Sequence, residues 1–86
     1  MASYDIEWKP SAEKELRRIH TDFVPRIVQV VESLGDDPFP VGHRKLVGGS
    51  GSYRVRVGDY RIVYQVDAQR RVVEIYHVRH RKDAYR

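Results

Sequence analysis

Five side chains in the C-terminal part of this 86-residue chain carry the chemistry needed to hold a phosphodiester: Arg54, Arg56, Arg61, Arg81 and Tyr85. An arginine guanidinium is planar, permanently charged and able to give two parallel hydrogen bonds to one phosphate. Several such forks around one phosphorus can also stabilise the extra charge of its transition state. RNA brings its own nucleophile, the 2′-hydroxyl. A metal-free ribonuclease therefore needs mainly to align that oxygen with the departing 5′-oxygen and to neutralise the developing charge. A tyrosine can stack on a splayed base or hydrogen-bond the reacting oxygens. The same arginines can grip phosphate or an acidic peptide without chemistry, and residue types alone favour that plainer use.

Other chemistries are poorly supported. The chain has no cysteine, so disulfides, thiolate metal sites and a cysteine nucleophile are excluded. His20, His43, His77 and His80 have no metal-ligand spacing, and neither a metal nor a cofactor is expected. The run Gly48-Gly49-Ser50-Gly51 lacks the lysine that follows the glycines of a phosphate-cradling loop. No nucleophile elbow and no acidic cluster for two-metal chemistry are present.

The element that must position the arginines is YRVRVGDYRIVYQV, residues 53–66. It reads as two alternating strands joined at Gly58-Asp59, with glycine in a positive-φ first turn position. Val57 then pairs with Tyr60, Arg56 with Arg61, Val55 with Ile62, Arg54 with Val63 and Tyr53 with Tyr64. One face carries Tyr53, Val55, Val57, Tyr60, Ile62 and Tyr64, and the other Arg54, Arg56, Arg61, Val63 and Gln65. Arg56 directly opposite Arg61 is a repulsive pair, which argues for an anion between them.

Around this hairpin the chain reads as α+β. Tyr4, Ile6 and Trp8 alternate with polar residues as a half-buried strand ended by Pro10. Ser11 is expected to cap a helix from residue 12 to 19 or 20, with Ala12, Leu16 and Ile19 as its apolar stripe. Asp22 is expected to cap a second helix, with Pro25 in its first turn, Phe23, Ile27, Val30, Val31 and Leu34 buried, and Gly35 as its stop. Residues 36–40 form a loop and 43–47 a short strand. A four-residue turn, 67–70, leads to a last strand at 71–78. Pairing Val66 with Arg71 puts Val73 and Ile75 on the core face and Tyr76 beside Arg61. The same alternation sends His77 to the core and leaves His80 as the histidine available for proton transfer near neutrality. The architecture is an N-terminal strand and a two-helix hairpin on one face of a C-terminal antiparallel meander, in a single domain spanning 1–86.

Net charge is +4 and the sequence pI about 9.6. Residues 1–53 are net −1 and residues 54–86 net +5, so the basic part coincides with the strands. That asymmetry fits nucleic acid or an acidic protein partner. No run is long and apolar enough to cross a membrane, and a cytoplasmic protein is expected.

Two motifs carry a family resemblance: the hairpin, residues 53–64, and the closing His77-Val78-x-His80-Arg81-Lys82-Asp83-Ala84-Tyr85. With the opening Tyr4-Asp5-Ile6-Glu7-Trp8, the Ala12-x-Lys14-x-Leu16 that follows, and Lys45-Leu46, nearly the whole chain resembles the RelE family of toxin–antitoxin toxins, within the RelE/ParE superfamily. The resemblance implies a RelE-like fold and a ribosome-dependent, metal-independent endoribonuclease that cuts mRNA in the A site and halts translation. It implies a cognate, RelB-like antitoxin, with operator DNA reached only through that antitoxin. It assigns Arg54 and Arg56 to the mRNA backbone and proton transfer, and Arg61 to transition-state charge. Arg81 matches the residue assigned to phosphate stabilisation or leaving-group protonation, and Tyr85 the tyrosine that stacks on substrate. Arg44, Lys45, Tyr76, His80 and Lys82 are the expected further RNA contacts. Characterised relatives carry lysines at the positions of Arg54 and Arg56, and arginine is a poor base because its pKa exceeds about 12. The resemblance also leaves two rivals: a ParE-like toxin that poisons gyrase and cuts nothing, and an inactive antitoxin-binding homologue.

Overall fold

The computed structural model describes residues 3–46 and 51–82. The chain runs β1 (Asp5–Trp8), α1 (Pro10–Leu16), α2 (Val24–Asp36), β2 (Arg44–Lys45), β3 (Ser52–Val57), β4 (Tyr60–Asp67) and β5 (Val72–His80). The five strands form one mixed sheet in the order β1-β5-β4-β3-β2. Strands β2 to β5 are antiparallel neighbours, and β1 lies parallel to β5 at the far edge. Ala12 of α1 and Ile27, Val31 and Leu34 of α2 pack against Val55, Val57, Ile62, Tyr64, Val73, Ile75 and Val78 of the sheet. One face of the sheet is thereby covered by helices, and no helix among the described residues is long and apolar enough to cross a membrane.

The hairpin has the register that its alternation dictates, from Tyr53 opposite Tyr64 to Val57 opposite Tyr60. Gly58 takes a φ of +59° at the turn, a conformation that costs little only without a Cβ.

The helices depart from the caps expected of them. α1 starts at Pro10, where a missing N–H does no harm, with Lys9 in extended geometry at its N-cap. Ser11 is already inside it, and its Oγ donates 2.6 Å to the carbonyl of Tyr76 on β5. The helix stops at Leu16, because Arg18 and Ile19 donate to carbonyls three residues back and tighten the chain into turns. α2 starts at Val24 after Phe23, not after Asp22, whose carboxylate lies 3.4 Å from His20 Nδ1. Phe23 is exposed rather than core, touching Tyr60 at a ring separation of 5.7 Å.

Gly35 does not end α2. It lies within the helix and is buried, with its carbonyl accepting 2.7 Å from the N–H of Tyr4. A Cβ there would sit 2.8 Å from the Tyr4 carbonyl oxygen, so glycine is needed for the close approach of β1. The strand expected at 43–47 is only Arg44–Lys45, and residue 47 lies outside the described residues.

The largest difference is in β5. Val66 pairs with Val73 rather than Arg71, since the turn takes in Arg71 at φ +55° and Asp67 Oδ1 accepts from the N–H of Arg70. This shift of two keeps Val73 and Ile75 on the core face. Tyr64 then pairs with Ile75 but Val63 with His77, which leaves Tyr76 as the extra residue of a β-bulge. The bulge reverses the alternation beyond it, so Val78 enters the core opposite Ile62 and His77 leaves it. Strict alternation would have turned a polar imidazole toward the core in place of a valine, at a desolvation cost that the bulge avoids.

Candidate functional site

The face opposite the core collects the arginines. Arg54 and Arg56 alternate on β3, Arg61 lies opposite Arg56 on β4, and Arg79 lies opposite Arg61 on β5. Arg56, Arg61 and Arg79 thus form a row across three strands, and Arg44 on β2 extends the basic surface opposite Arg54. Lys45 pairs with Tyr53 and so falls on the other side of the sheet.

Two recesses share Arg61. The first, about 80 Å³, is lined by Arg56, Gly58, Asp59, Arg61 and Arg81. Arg81 follows β5, and its N–H donates 2.7 Å to the Asp59 carbonyl, which ties the strand end to the hairpin turn. The second, about 260 Å³, is lined by Leu46, Arg54, Arg61, Val63, His77 and Arg79. Arginines from β3, β4 and the end of β5 therefore surround one strip of surface, and among the described residues Asp59 is the one carboxylate in either wall. An oxyanion with several acceptor oxygens fits such a strip.

Beyond Ile75 the edge of β5 is no longer paired with β1, and α1 takes its place. There Glu15 makes three contacts at once. Its Oε1 lies 2.9 Å from His77 Nδ1 and accepts 3.3 Å from the N–H of Val78, while Oε2 accepts 2.9 Å from Arg79 Nε. Partial burial pushes the Glu15 carboxyl up, but the bonds from His77, Arg79 and Val78 outweigh it and hold the group below the usual carboxylate value. Glu15 is thus charged at neutral pH and fixes both side chains that β5 sends towards the arginine strip.

Two expected positions are corrected by the bulge. Tyr76 is not beside Arg61; its ring lies 5.7 Å from Lys9 Nζ, which also pairs with Glu7 and Glu74. His77 is not in the core but in the wall of the larger recess. His80, the histidine favoured by simple alternation, is opposite Tyr60 and packs edge-on against that ring at 5.3 Å, on the helix side. Lys82 is exposed, with its N–H donating to His80 Nδ1. Tyr85 lies outside the described residues. The sequence by itself does not single out Arg79 and Glu15, and its alternation places His77 on the core face. The signal available was the spacing of three between Ile75 and Val78, which interrupts a period of two and marks a bulge.

The mixed sheet, two helices on one face and a basic strip on the other define an α+β domain with an anion-binding face. The sequence profile described as "ParE toxin of type II toxin-antitoxin system, parDE" matches residues 6–85, and the chain belongs to that family. It is 27% identical over 84 residues to toxin RelG of Mycobacterium tuberculosis, covering 96% of this chain and 97% of the relative. Its fold matches that of the RelBE2 toxin–antitoxin complex of M. tuberculosis at a TM-score of 0.82, with 22% identity over 91% of this chain and 98% of that one. The archaeal RelE–RelB complex of Pyrococcus horikoshii matches at 0.79, with 26% identity over 92% and 96% of the two chains.

Proposed function

We propose that the arginine strip is an mRNA-cleaving site and that the toxin is a ribosome-dependent endoribonuclease, cutting in the A site by 2′-hydroxyl attack and so inhibiting translation. The observation that carries this reading is the convergence of Arg54, Arg56, Arg61, Arg79 and Arg81 around two adjoining recesses. Several guanidinia around one recess suit the charge that builds up on a phosphodiester in its transition state. In this reading Arg54 and Arg56 hold the backbone on either side of the scissile phosphate. Arg61, common to both recesses, stabilises the transition-state charge, with Arg81 beside the departing oxygen and Tyr85 stacking on the exposed base. No metal is required for this step, because RNA supplies its own nucleophile. The partner is a RelB-like antitoxin whose acidic, extended segment covers the same strip in the cytoplasm and brings the toxin to operator DNA.

The ParE name of the matching family favours a second reading, a gyrase poison without nuclease activity. Programmed ribosomes separate the two. Purified toxin is incubated with them and a defined mRNA, with only the magnesium that ribosomes require, and the cut ends are mapped. A-site cleavage that falls roughly 10²–10³-fold in Arg61→Ala and Arg81→Ala supports cleavage, that being the usual loss for a missing transition-state donor. Intact mRNA together with gyrase-dependent DNA breaks selects the second reading.

A further inference from the structure

We propose that His77, held by Glu15, is the proton acceptor for the attacking 2′-hydroxyl. The inference rests on the cleavage reading above and fills the role that arginines at 54 and 56 leave open, since a guanidinium stays protonated. Three observations support it. His77 lines the recess that Arg54, Arg61 and Arg79 also line, so it stands where a phosphate would be bound. Its Nδ1 lies 2.9 Å from Glu15 Oε1, and a charged carboxylate there accepts the hydrogen bond of Nδ1–H, which leaves the neutral ring's lone pair on Nε2. Its ring is fixed by geometry rather than chance, because Tyr76 is bulged out and the neighbouring Val78 N–H and Arg79 Nε bond the same carboxylate.

A carboxylate that orients an imidazole toward a hydroxyl is a recurrent way to build a base, whatever the fold. Here Nε2 takes the 2′-hydroxyl proton as that oxygen forms its bond to phosphorus. The bond from phosphorus to the 5′-oxygen breaks, and the departing oxygen takes a proton from solvent. The products are a 2′,3′-cyclic phosphate and a 5′-hydroxyl, and the ring returns its proton to water. Glu15 touches no substrate and is a positioning residue. The alternative use of the same contacts is structural: Glu15 latches α1 to the unpaired edge of β5, and His77 is only one of its hooks.

Single-turnover cleavage by the full-length toxin on programmed ribosomes, followed from about pH 5.5 to 8.5 across the usual imidazole range, distinguishes these. The charged groups facing the ring are Glu15 from α1, Arg79 from β5, Arg54 from β3 and Arg61 from β4. The wild-type rate should rise with unit slope and then level. His77→Asn keeps a donor for Glu15 but has no base; it should lose roughly 10²–10⁴-fold and lose the acid limb. The deficit should persist on an mRNA with sulfur in place of the scissile 5′-oxygen, a leaving group that needs no proton. Glu15→Gln should still cleave, but more slowly, because the ring loses the carboxylate that orients it.

A His77→Asn variant that keeps rate and limb while Arg61→Ala is inactive overturns the proposal and leaves the cleavage reading intact. Rescue of His77→Asn by the 5′-thio substrate also overturns it, since His77 would then act as an acid. If His77→Asn does not fold, the wild-type profile decides, and a flat one overturns the proposal. Absence of wild-type cleavage removes the function and this inference together.

Discussion

Tyr64 illustrates how a single residue binds the core to its surroundings. Its side chain is wholly buried, yet its hydroxyl donates 2.7 Å to the Pro38 carbonyl in the loop after α2. Burial, then the neighbouring Tyr53 and Asp37, push the phenol up to about 12 from an ordinary 10.0. A raised folded value means that the protonated phenol's contribution is complete below pH 10.0 and disappears as pH climbs towards about 12. Tyr64→Phe should therefore cost about 1–3 kcal/mol at neutral pH, where the Pro38 carbonyl loses its partner, and should weaken the alkaline fall in stability. Denaturant melts at pH 7 and at high pH check both parts. A melt whose alkaline limb is unchanged in the variant would assign that limb to other groups.

At the scale of elements, the contact between α2 and β1 depends on Gly35. An exposed helical Gly→Ala change ordinarily gains about 1 kcal/mol from helix preference. Here the added methyl meets the Tyr4 backbone oxygen at 2.8 Å, and no flexible side chain is available to yield. Gly35→Ala should thus destabilise by about 1–3 kcal/mol, the usual range for overpacking, and should loosen β1 first. Amide exchange of the Tyr4 N–H, bonded to the Gly35 carbonyl, is the direct readout; unchanged protection there would show that the contact does not hold β1. The bulge in β5 is the other decisive element. One extra residue sends Val78 inward and brings His77 and Arg79 to the arginine strip, where Glu15 from α1 fixes them.

For the whole molecule, the basic half of the sequence supplies Arg54, Arg56, Arg61 and Arg79 to the sheet face that the helices leave open. Arg56 lies directly opposite Arg61, and like charges so placed cost stability as a rule unless an anion lies between them. Arg56→Gln should therefore raise the free protein's stability by about 0.2–1 kcal/mol and weaken RNA binding. Each phosphate contact on a single strand contributes about −0.7 to the slope of log K against log salt, so the variant's slope should be shallower by about that amount. Calorimetry and binding titrations at several salt concentrations give the two numbers. A variant less stable than the parent, with an unchanged slope, would place Arg56 in a structural role.

Sequence alone determined the hairpin. Its register, its turn and the separation of Arg54, Arg56 and Arg61 from the core follow from a period of two on either side of Gly58-Asp59, a local pattern with one sterically easy solution. It also determined the α+β class and, Phe23 apart, the apolar faces of the helices, since both rest on residue spacing. What it did not contain was anything set by long-range contact. Gly35 reads as a helix stop until β1 is known to pass against it, and Ser11 reads as a cap until Tyr76 offers a carbonyl. The pairing of His77 with Glu15 joins residues 62 positions apart through a bulge and a sheet edge. Only the folded chain decides which histidine faces the arginines, because one inserted residue in a strand reverses the face of every side chain after it.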